Sequence, residues 1–115
     1  MYAKIRITLR NDDCEHEGHG FGRGIELLLA GVERHGSLNR AAKEMGMAYS
    51  KAWRIIKQAE EEFHIGLLNR DGPHGSTLTE EGSVLFAHYR EMLSAAEQAA
   101  GAVFDQYYKR DCRED

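Results

Sequence analysis

Residues 36–63 constrain this chain most, because they show the pattern of two short helices joined by a sharp turn. Ser37 can cap the first helix by accepting a hydrogen bond from an otherwise unpaired backbone N–H. The small residues Ala41 and Ala42 allow close helix packing, and Gly46 can take the left-handed conformation that ends a helix. A second helix is expected to begin two residues later. The pattern predicts a helix-turn-helix.

The second helix has two chemically different faces when its residues are placed about 100° apart around the axis. The residues on the apolar face are Ala52, Ile56, Ala59 and Phe63. The residues on the opposite face are Ser50, Arg54 and Lys57. No acidic residue occurs in residues 47–58, where Lys51 adds a further positive charge. Such a helix can enter the major groove of DNA, although a solvated cationic face would show the same pattern.

A longer series of residues extends this pattern towards the N-terminus. Its members are Gly20-Phe21-Gly22-Arg23, Leu27-Leu28, Gly36-Ser37, Ala41-Ala42-Lys43, Met45-Gly46-Met47, Tyr49 and Ala52-Trp53. The series resembles the N-terminal DNA-binding domain of ModE-type molybdate-responsive regulators and, more distantly, the LysR-type winged helix. The resemblance covers about residues 4–93 and implies a winged helix-turn-helix transcription factor.

The resemblance also implies which residues lie near DNA. This sequence departs from the family's pattern in two respects, which limit the properties that can be inferred from the family. The positions that match the family's DNA-contacting region are Tyr49, Ser50 and Arg54. The glycine-rich wing of ModE-type proteins is shortened here to residues 71–77, which changes the groove contacts it can make. The molybdate-binding domains of full-length members have no counterpart in these 115 residues, so we do not carry over oxyanion sensing.

Residues after the second helix predict a β-ribbon wing, with a glycine- and proline-containing turn at residues 72–75. Arg70 and His74 are candidates for contact with the DNA backbone. The alternatives are a salt bridge between Arg70 and a neighbouring Glu, and a plain exposed turn position for His74. The full set of residues expected at DNA is Ser37, Arg40, Tyr49, Ser50, Lys51, Arg54, Lys57, Arg70 and His74.

Two aromatic residues flank the apolar face of the second helix. Tyr49 and Trp53 are four positions apart, so their side chains can touch. Aromatic groups at a nucleic-acid surface can stack on bases or contact a thymine methyl. The helical angle favours core packing for Trp53. For Tyr49, packing and a contact between its hydroxyl and a phosphate both stay open.

Two elements are predicted before the helix-turn-helix. Residues 2–10 alternate Ile5, Ile7 and Leu9 with polar side chains, which predicts a half-buried strand in the small sheet of the domain. Apolar residues at helical spacing then predict a helix over residues 23–35, which would support the helix-turn-helix.

The polar, glycine-containing residues 11–22 between these elements predict a loop. This loop contains Cys14, His16 and His19, whose thiol and imidazole groups are possible zinc ligands. A fourth ligand is not evident, and such spacing arises easily by chance. We therefore predict no metal site and name these three residues only as candidates.

A long C-terminal helix is predicted from Thr79, a suitable N-cap, to about Tyr108. At about 1.5 Å per residue it would be about 43 Å long and would protrude from so small a domain. The residues of its apolar stripe are Leu85, Tyr89, Met92, Ala96, Ala99 and Val103. We expect two copies to pair through this stripe, and the resemblance also implies a homodimer.

The 115 residues, 42% hydrophobic and 30% charged, suit one soluble domain. We divide them into a winged helix-turn-helix DNA-binding domain (1–78), a dimerisation helix (79–108) and a charged tail (109–115). No apolar run approaches the about 20 residues that span a membrane, and the start lacks the apolar centre of a signal peptide. We therefore expect that the protein lies in the cytoplasm and is not associated with a membrane.

The formal net charge of −4 counts against a DNA-binding protein, because phosphate neutralisation dominates such binding. The acids, however, cluster in residues 12–17, 60–62 and 111–115, away from the cationic face. No recognisable set of nucleophile, base and orienting acid occurs, so we expect neither an enzyme nor a cofactor. The predicted function is a stand-alone, sequence-specific transcriptional regulator that binds double-stranded DNA. The alternative is a winged-helix protein-interaction module that has lost DNA binding.

Overall fold

The computed structural model of the protein describes residues 1–12, 20–70 and 75–108. The elements in chain order are α1 Arg23–His35, α2 Leu38–Glu44, α3 Tyr49–Phe63, β1 Leu68–Arg70, β2 Ser76–Leu78 and α4 Glu80–Tyr107. The two strands pair antiparallel, with Asn69 opposite Thr77, and form the wing. The mainly helical, winged helix-turn-helix fold predicted from the sequence is confirmed.

The helix-turn-helix consists of α2, the turn after it, and α3. The Ser37 Oγ caps α2 by accepting a hydrogen bond of 3.2 Å from the backbone N–H of Arg40. Gly46 has a φ of 67°, the left-handed conformation expected after the end of α2. Residue Ala48 then precedes α3 in an extended conformation. The Ser37 cap and the Gly46 turn thus lie at the positions predicted from the sequence.

A close backbone contact joins α1 to α2. A Cβ atom placed on Gly31 would lie 2.6 Å from the Cβ of Ala41 and 3.0 Å from its Cα. A glycine inside a helix costs about 0.5–1 kcal/mol relative to alanine, so Gly31 needs a compensating role. Its role is to let α1 approach the helix-turn-helix more closely than any side chain would allow.

The core lies between the inner faces of α1, α2 and α3 and the first half of α4. The largest fully buried side chains are Tyr89, Phe21, Leu28, Leu29, Leu38, Ile56, Leu67 and Val32. On α3, Ala52 and Ala59 are buried as predicted, whereas Phe63 is only partly buried. Because the buried face of α3 is mostly small, its backbone lies close to the core and its polar face points outward.

The N-terminal segment corrects one prediction from the sequence. Residues 2–10 show the expected alternation of partly buried apolar and exposed polar side chains. Yet within the described ranges the wing sheet contains only β1 and β2. The segment instead forms an isolated bridge, in which Leu9 and Phe21 exchange two backbone hydrogen bonds of 2.9 Å. The Tyr89 hydroxyl also donates to the Ile7 carbonyl at 2.9 Å. The alternation of apolar and polar residues indicates that one face of the segment is buried, but it does not identify the element that covers this face.

A buried carboxylate ties this N-terminal segment to the end of α3. Glu62 is 2% exposed and accepts a hydrogen bond of 2.9 Å from the Arg10 side chain. It also accepts hydrogen bonds from the backbone N–H groups of Asn11 and Gly20. Burial by itself would raise the pKa of Glu62, but Arg10 and the two N–H groups outweigh burial and hold that pKa below its ordinary value.

The helix α4 has 28 residues and extends well beyond the core. It is capped as predicted, because the Thr79 Oγ1 accepts a hydrogen bond of 2.8 Å from the Gly82 N–H. The last buried residue of α4 is Leu93, so its second half leaves the body of the domain. The longest dimension of the molecule is 56 Å.

The apolar surface of α4 consists of two neighbouring stripes rather than the single one predicted. The residues that face the core of the same chain are Gly82, Phe86, Tyr89 and Leu93. Tyr89 was assigned to the dimer interface from the sequence, but it is 1% exposed and packs against Phe21 with ring centroids 5.0 Å apart. It is therefore unavailable to a second copy. The other predicted interface residues are exposed or partly exposed: Leu85, Met92, Ala96, Ala99 and Val103.

Four residues singled out from the sequence lie outside the described ranges: Cys14, His16, His19 and His74. Among the residues that are described, no group of three or more His, Cys, Asp or Glu side chains is arranged to hold a metal ion. No helix of the described chain has the length and apolar character needed to cross a membrane.

The contact at Gly31 can be tested with a matched pair of substitutions in α1. Gly31→Ala should lower the free energy of unfolding by about 1–3 kcal/mol, because the added methyl overlaps Ala41. Gly24→Ala should be neutral or stabilising by up to about 1 kcal/mol, because its added Cβ would have no neighbour within 4 Å. Urea denaturation measures both. Equal stability of the two variants would contradict the close helix contact.

The buried carboxylate predicts a defined dependence of stability on pH. Because the pKa of Glu62 is lower in the folded than in the unfolded state, its ionisation stabilises the fold above its ordinary pKa of 4.5. This contribution is lost as the pH falls through the lowered pKa of the folded state. Glu62→Gln should cost about 1.5–3 kcal/mol at neutral pH and flatten the acid limb of the stability profile.

Thermal unfolding from neutral to acid pH measures this effect, with the exposed neighbour Glu61→Gln as the control. The control should follow the wild-type profile. Acid limbs of equal steepness in the wild type and Glu62→Gln would show that the carboxylate is not stabilised in the fold.

Candidate nucleic-acid interface

The helix α3 presents a positive surface to solvent, which we call the reading face. Its exposed residues are Ser50, Lys51, Arg54 and Lys57. The other side of α3 packs against α1 and α2. The first carboxylate along α3 is that of Glu60, beyond all three cations. The reading face therefore combines positive charge with small and polar side chains, which is the chemistry that contacts phosphates and base edges.

A groove of about 680 Å³ lies beside the reading face, between the start of α3 and the wing. The residues that line it are Ser37, Asn39, Tyr49, Trp53, Arg70, Gly75 and Ser76. They come from the start of α2, the first turns of α3 and both sides of the wing. The fold thus places the predicted DNA contacts Ser37, Tyr49 and Arg70 around one groove.

The wing is attached to the helix-turn-helix through its second strand. The backbone N–H of Ser76 donates a hydrogen bond of 2.9 Å to the carbonyl of Gly36, in the turn between α1 and α2. Gly75 has a φ of 103°, and a Cβ atom there would lie 2.1 Å from the same carbonyl oxygen. A glycine is therefore required where the wing meets the turn.

The first strand of the wing is held by the end of α3. The Glu60 Oε2 accepts hydrogen bonds from the backbone N–H groups of Leu67 at 2.7 Å and of Leu68 at 3.3 Å. The Thr79 hydroxyl donates to the Gly66 carbonyl at 2.6 Å, beside the start of α4. Both ends of the wing are thus fixed to neighbouring helices, so its position relative to α3 is defined.

Three side chains link α3 to the wing inside the groove. The indole Nε1–H of Trp53 donates to the Tyr49 hydroxyl at 2.6 Å, and the two rings are close to perpendicular, at 89°. The guanidinium of Arg70 lies over the indole, with its Cζ 4.0 Å from the ring centroid. This distance is within the range of a cation–π interaction. Arg70 therefore contacts Trp53, and the described residues supply it with no carboxylate.

Three carboxylates on α2 and α3 have structural partners. Glu60 and Glu62 bind backbone N–H groups, as described above. Glu44 pairs with Arg34 and His35 at the ends of α2 and α1. Hydrogen bonds from Arg34 and then from His35 lower the pKa of Glu44 below its ordinary value. The negative total charge therefore does not prevent a positive reading face.

The structure separates the predicted DNA contacts into three groups. Tyr49 and Arg70 line the groove, and Ser37 lines it while its Oγ caps α2. The reading face contains Ser50, Lys51, Arg54 and Lys57. Arg40 is exposed on α2, and His74 lies outside the described ranges.

Sequence reasoning missed part of the groove. Asn39, Gly75 and Ser76 line it, and Trp53 contacts the wing rather than serving only as a core residue. The only signal was the glycine in the turn of the wing. The residues near this glycine in the sequence did not indicate that it would contact the turn between α1 and α2, because that contact depends on the tertiary fold.

Comparisons with known proteins agree with this geometry. Residues 25–83 match the family model described as bacterial regulatory helix-turn-helix protein, lysR family. The chain is 40% identical over 77 residues to the HTH-type transcriptional regulator CrgA of Neisseria meningitidis serogroup C (strain 8013). This match covers 64% of the chain and 25% of CrgA, so the chain spans about a quarter of the length of the curated relatives it matches.

Two solved structures of the BenM DNA-binding domain are also similar. The complex with benA site 1 DNA matches with a TM-score of 0.60 and 26% identity, covering 76% of this chain and 97% of that one. The complex with catB site 1 DNA matches with a TM-score of 0.58 and 24% identity, covering 74% and 93%. The order and packing of helices and wing are thus those of a LysR-type DNA-binding domain.

Proposed function

Because this chain belongs to the LysR family of bacterial regulatory helix-turn-helix proteins, we propose that it is a sequence-specific transcriptional regulator that binds double-stranded DNA as a homodimer. Residues 25–83 form a LysR-type helix-turn-helix DNA-binding domain. We propose that this domain has no enzymatic activity. Its place of action is the cytoplasm, where bacterial DNA is accessible.

One observation carries the proposal: the cationic reading face of α3 lies next to a wing that is fixed to the same helix. Arg54 is at the centre of the reading face, where it can bind a guanine edge or a phosphate in the major groove. Lys51 and Lys57 lie one helical turn or less away and can neutralise the flanking phosphates. The relatives support this assignment, since CrgA is named a transcriptional regulator and the BenM domain was solved with DNA.

The ModE-type resemblance is a finer part of the proposal. Several residues of that series have packing or positioning roles here, which supports it. Phe21 is fully buried. Gly20 has a φ of 68° and lies against the Leu9 carbonyl. Trp53 and Tyr49 form the aromatic pair of the groove. We propose a ModE-like DNA-binding domain within the LysR family, and we do not carry over molybdate sensing.

We keep the domain division as part of this proposal, with DNA binding by residues 1–78, pairing by residues 79–108 and a charged tail over residues 109–115. The residues proposed to contact DNA are Ser37, Arg40, Tyr49, Ser50, Lys51, Arg54, Lys57, Arg70 and His74. The stripe proposed for dimerisation comprises Leu85, Met92, Ala96, Ala99 and Val103. The residues of this stripe are exposed or partly exposed in a single chain, and a second α4 would cover them.

Binding to a pool of random DNA duplexes, at low and then at physiological salt, tests the main proposal. The retained sequences should contain an inverted repeat with half-sites about one helical turn, or a multiple of it, apart. Arg54→Glu should weaken binding by at least about tenfold, because it removes a contact and adds repulsion at the centre of the reading face. Lys4→Glu makes the same charge change in the N-terminal segment and should leave binding nearly unchanged.

Absence of duplex binding by the wild type even at low salt would contradict DNA recognition. It would favour the alternative, an interaction module that uses the same fold for a protein partner. Arg54→Glu should leave the oligomeric state unchanged in either case, because Arg54 lies on α3 and not on α4.

Homodimer formation is tested by placing a charge inside or outside the stripe on α4. Met92→Glu should shift the protein towards the monomer, because it buries a carboxylate in the proposed helix pair. Ser94→Glu adds the same charge about 200° away around the helix and should leave the dimer intact. Sedimentation equilibrium at micromolar concentration measures both. A strictly monomeric wild type would overturn the dimer.

A further inference from the structure

The Tyr49 hydroxyl is oriented by Trp53. An indole N–H can only donate a hydrogen bond, so the Tyr49 oxygen must act as the acceptor across their distance of 2.6 Å. The hydroxyl proton then points away from the indole. In the part of the chain that the structure describes, this proton has no acceptor. Tyr49 therefore offers a directed hydrogen-bond donor beside the reading face, and its side chain is 47% exposed.

Arg70 is oriented by the same indole. Its guanidinium lies over the Trp53 ring, with 4.0 Å between Cζ and the ring centroid. Its N–H groups stay available, because a cation–π interaction leaves their hydrogen-bonding capacity unused. The side chain is exposed, and no carboxylate of the described residues neutralises it. Arg70 thus offers positively charged donors on the wing side of the groove.

The hydrogen-bond donors on the two sides of the groove together favour the binding of an anion. The donors of Tyr49 and Arg70 both belong to the groove between α3 and the wing, and none of the described residues that line this groove is acidic. A group with several acceptor oxygens and a negative charge satisfies both at once. In a DNA-binding domain the abundant group of this kind is the phosphate of the DNA backbone.

We propose that Tyr49 and Arg70 bind one backbone phosphate of DNA between them, and that Trp53 is the positioning residue that holds both donors in place. This inference rests on the proposed function and adds to it a specific, preorganised phosphate contact. Trp53 orders two side chains from different elements before DNA arrives, which lowers the entropy cost of forming the contact. The contact is independent of base sequence, so it should strengthen binding to every duplex.

The test uses equilibrium binding to a mixed-sequence duplex at several salt concentrations, because a phosphate contact needs no known operator. Arg70→Ala should weaken binding about tenfold and should reduce the slope of log K against log salt by about 0.9. Tyr49→Phe should weaken binding several-fold without changing this slope, because it removes a neutral donor. Trp53→Phe keeps the ring beneath Arg70 and should retain the wild-type slope.

Coupling through Trp53 is tested by a double-mutant cycle. Tyr49→Phe should cost less in the Trp53→Leu background than in the wild type, because the hydroxyl is no longer oriented there. If Trp53 were only a packing residue, the two losses would be additive. In that case the loss of binding would also follow the loss of thermal stability across the variants. Either result would overturn the positioning role.

Fluorescence distinguishes a DNA phosphate from a free anion, because Trp53 is the only tryptophan of the chain. The mixed-sequence duplex should change its emission in a saturable way. A saturable response to inorganic phosphate with none to the duplex would overturn the assignment to DNA. A wild type that does not bind duplex at low salt refutes the proposed function itself. A wild type that binds, with unchanged affinity and slope in Tyr49→Phe and Arg70→Ala, refutes only the phosphate site.

Discussion

The contact of Gly31 with Ala41 is the interaction on which the remaining structure depends. It brings the backbones of α1 and α2 together, and the turn between them then exposes the Gly36 carbonyl to the wing. The wing binds this carbonyl through Ser76, so the same contact decides where the groove lies. A protein interior is close-packed, and one methyl group at such a point would have to displace backbone rather than a flexible side chain.

The acidic residues of the chain show how a protein with a net charge of −4 can keep a positive reading face on α3. Glu60 holds the first strand of the wing, and Glu62 holds the N-terminal segment. Both use their charge to bind backbone N–H groups, where a charged acceptor is roughly twice as effective as a neutral one. Their charges support the scaffold at the C-terminal end of α3, whereas Lys51, Arg54 and Lys57 lie earlier along the same helix and are exposed.

The groove lies between α3 and the wing, and each of these two elements supplies different side chains to it. α3 supplies the reading face and the aromatic pair, whereas the wing supplies Arg70 more than a dozen residues further along the chain. Because Trp53 touches both Tyr49 and Arg70, the positions of helix and wing are coupled through one side chain. Such coupling matters for affinity, since each side chain already ordered in the free protein costs less to order in the complex.

The sequence by itself determined the helices, the turn and the polarity of α3, because caps, glycines and a period of about 3.6 residues act over a few neighbouring positions. It also determined that residues 2–10 have one buried face. Only the tertiary structure decided that this face packs against the hydrophobic core without joining the wing sheet, and that Tyr89 belongs to the core. The same holds for the cation–π contact of Arg70 with Trp53. These contacts join residues far apart in the chain, and periodicity says which side is apolar without saying what will cover it.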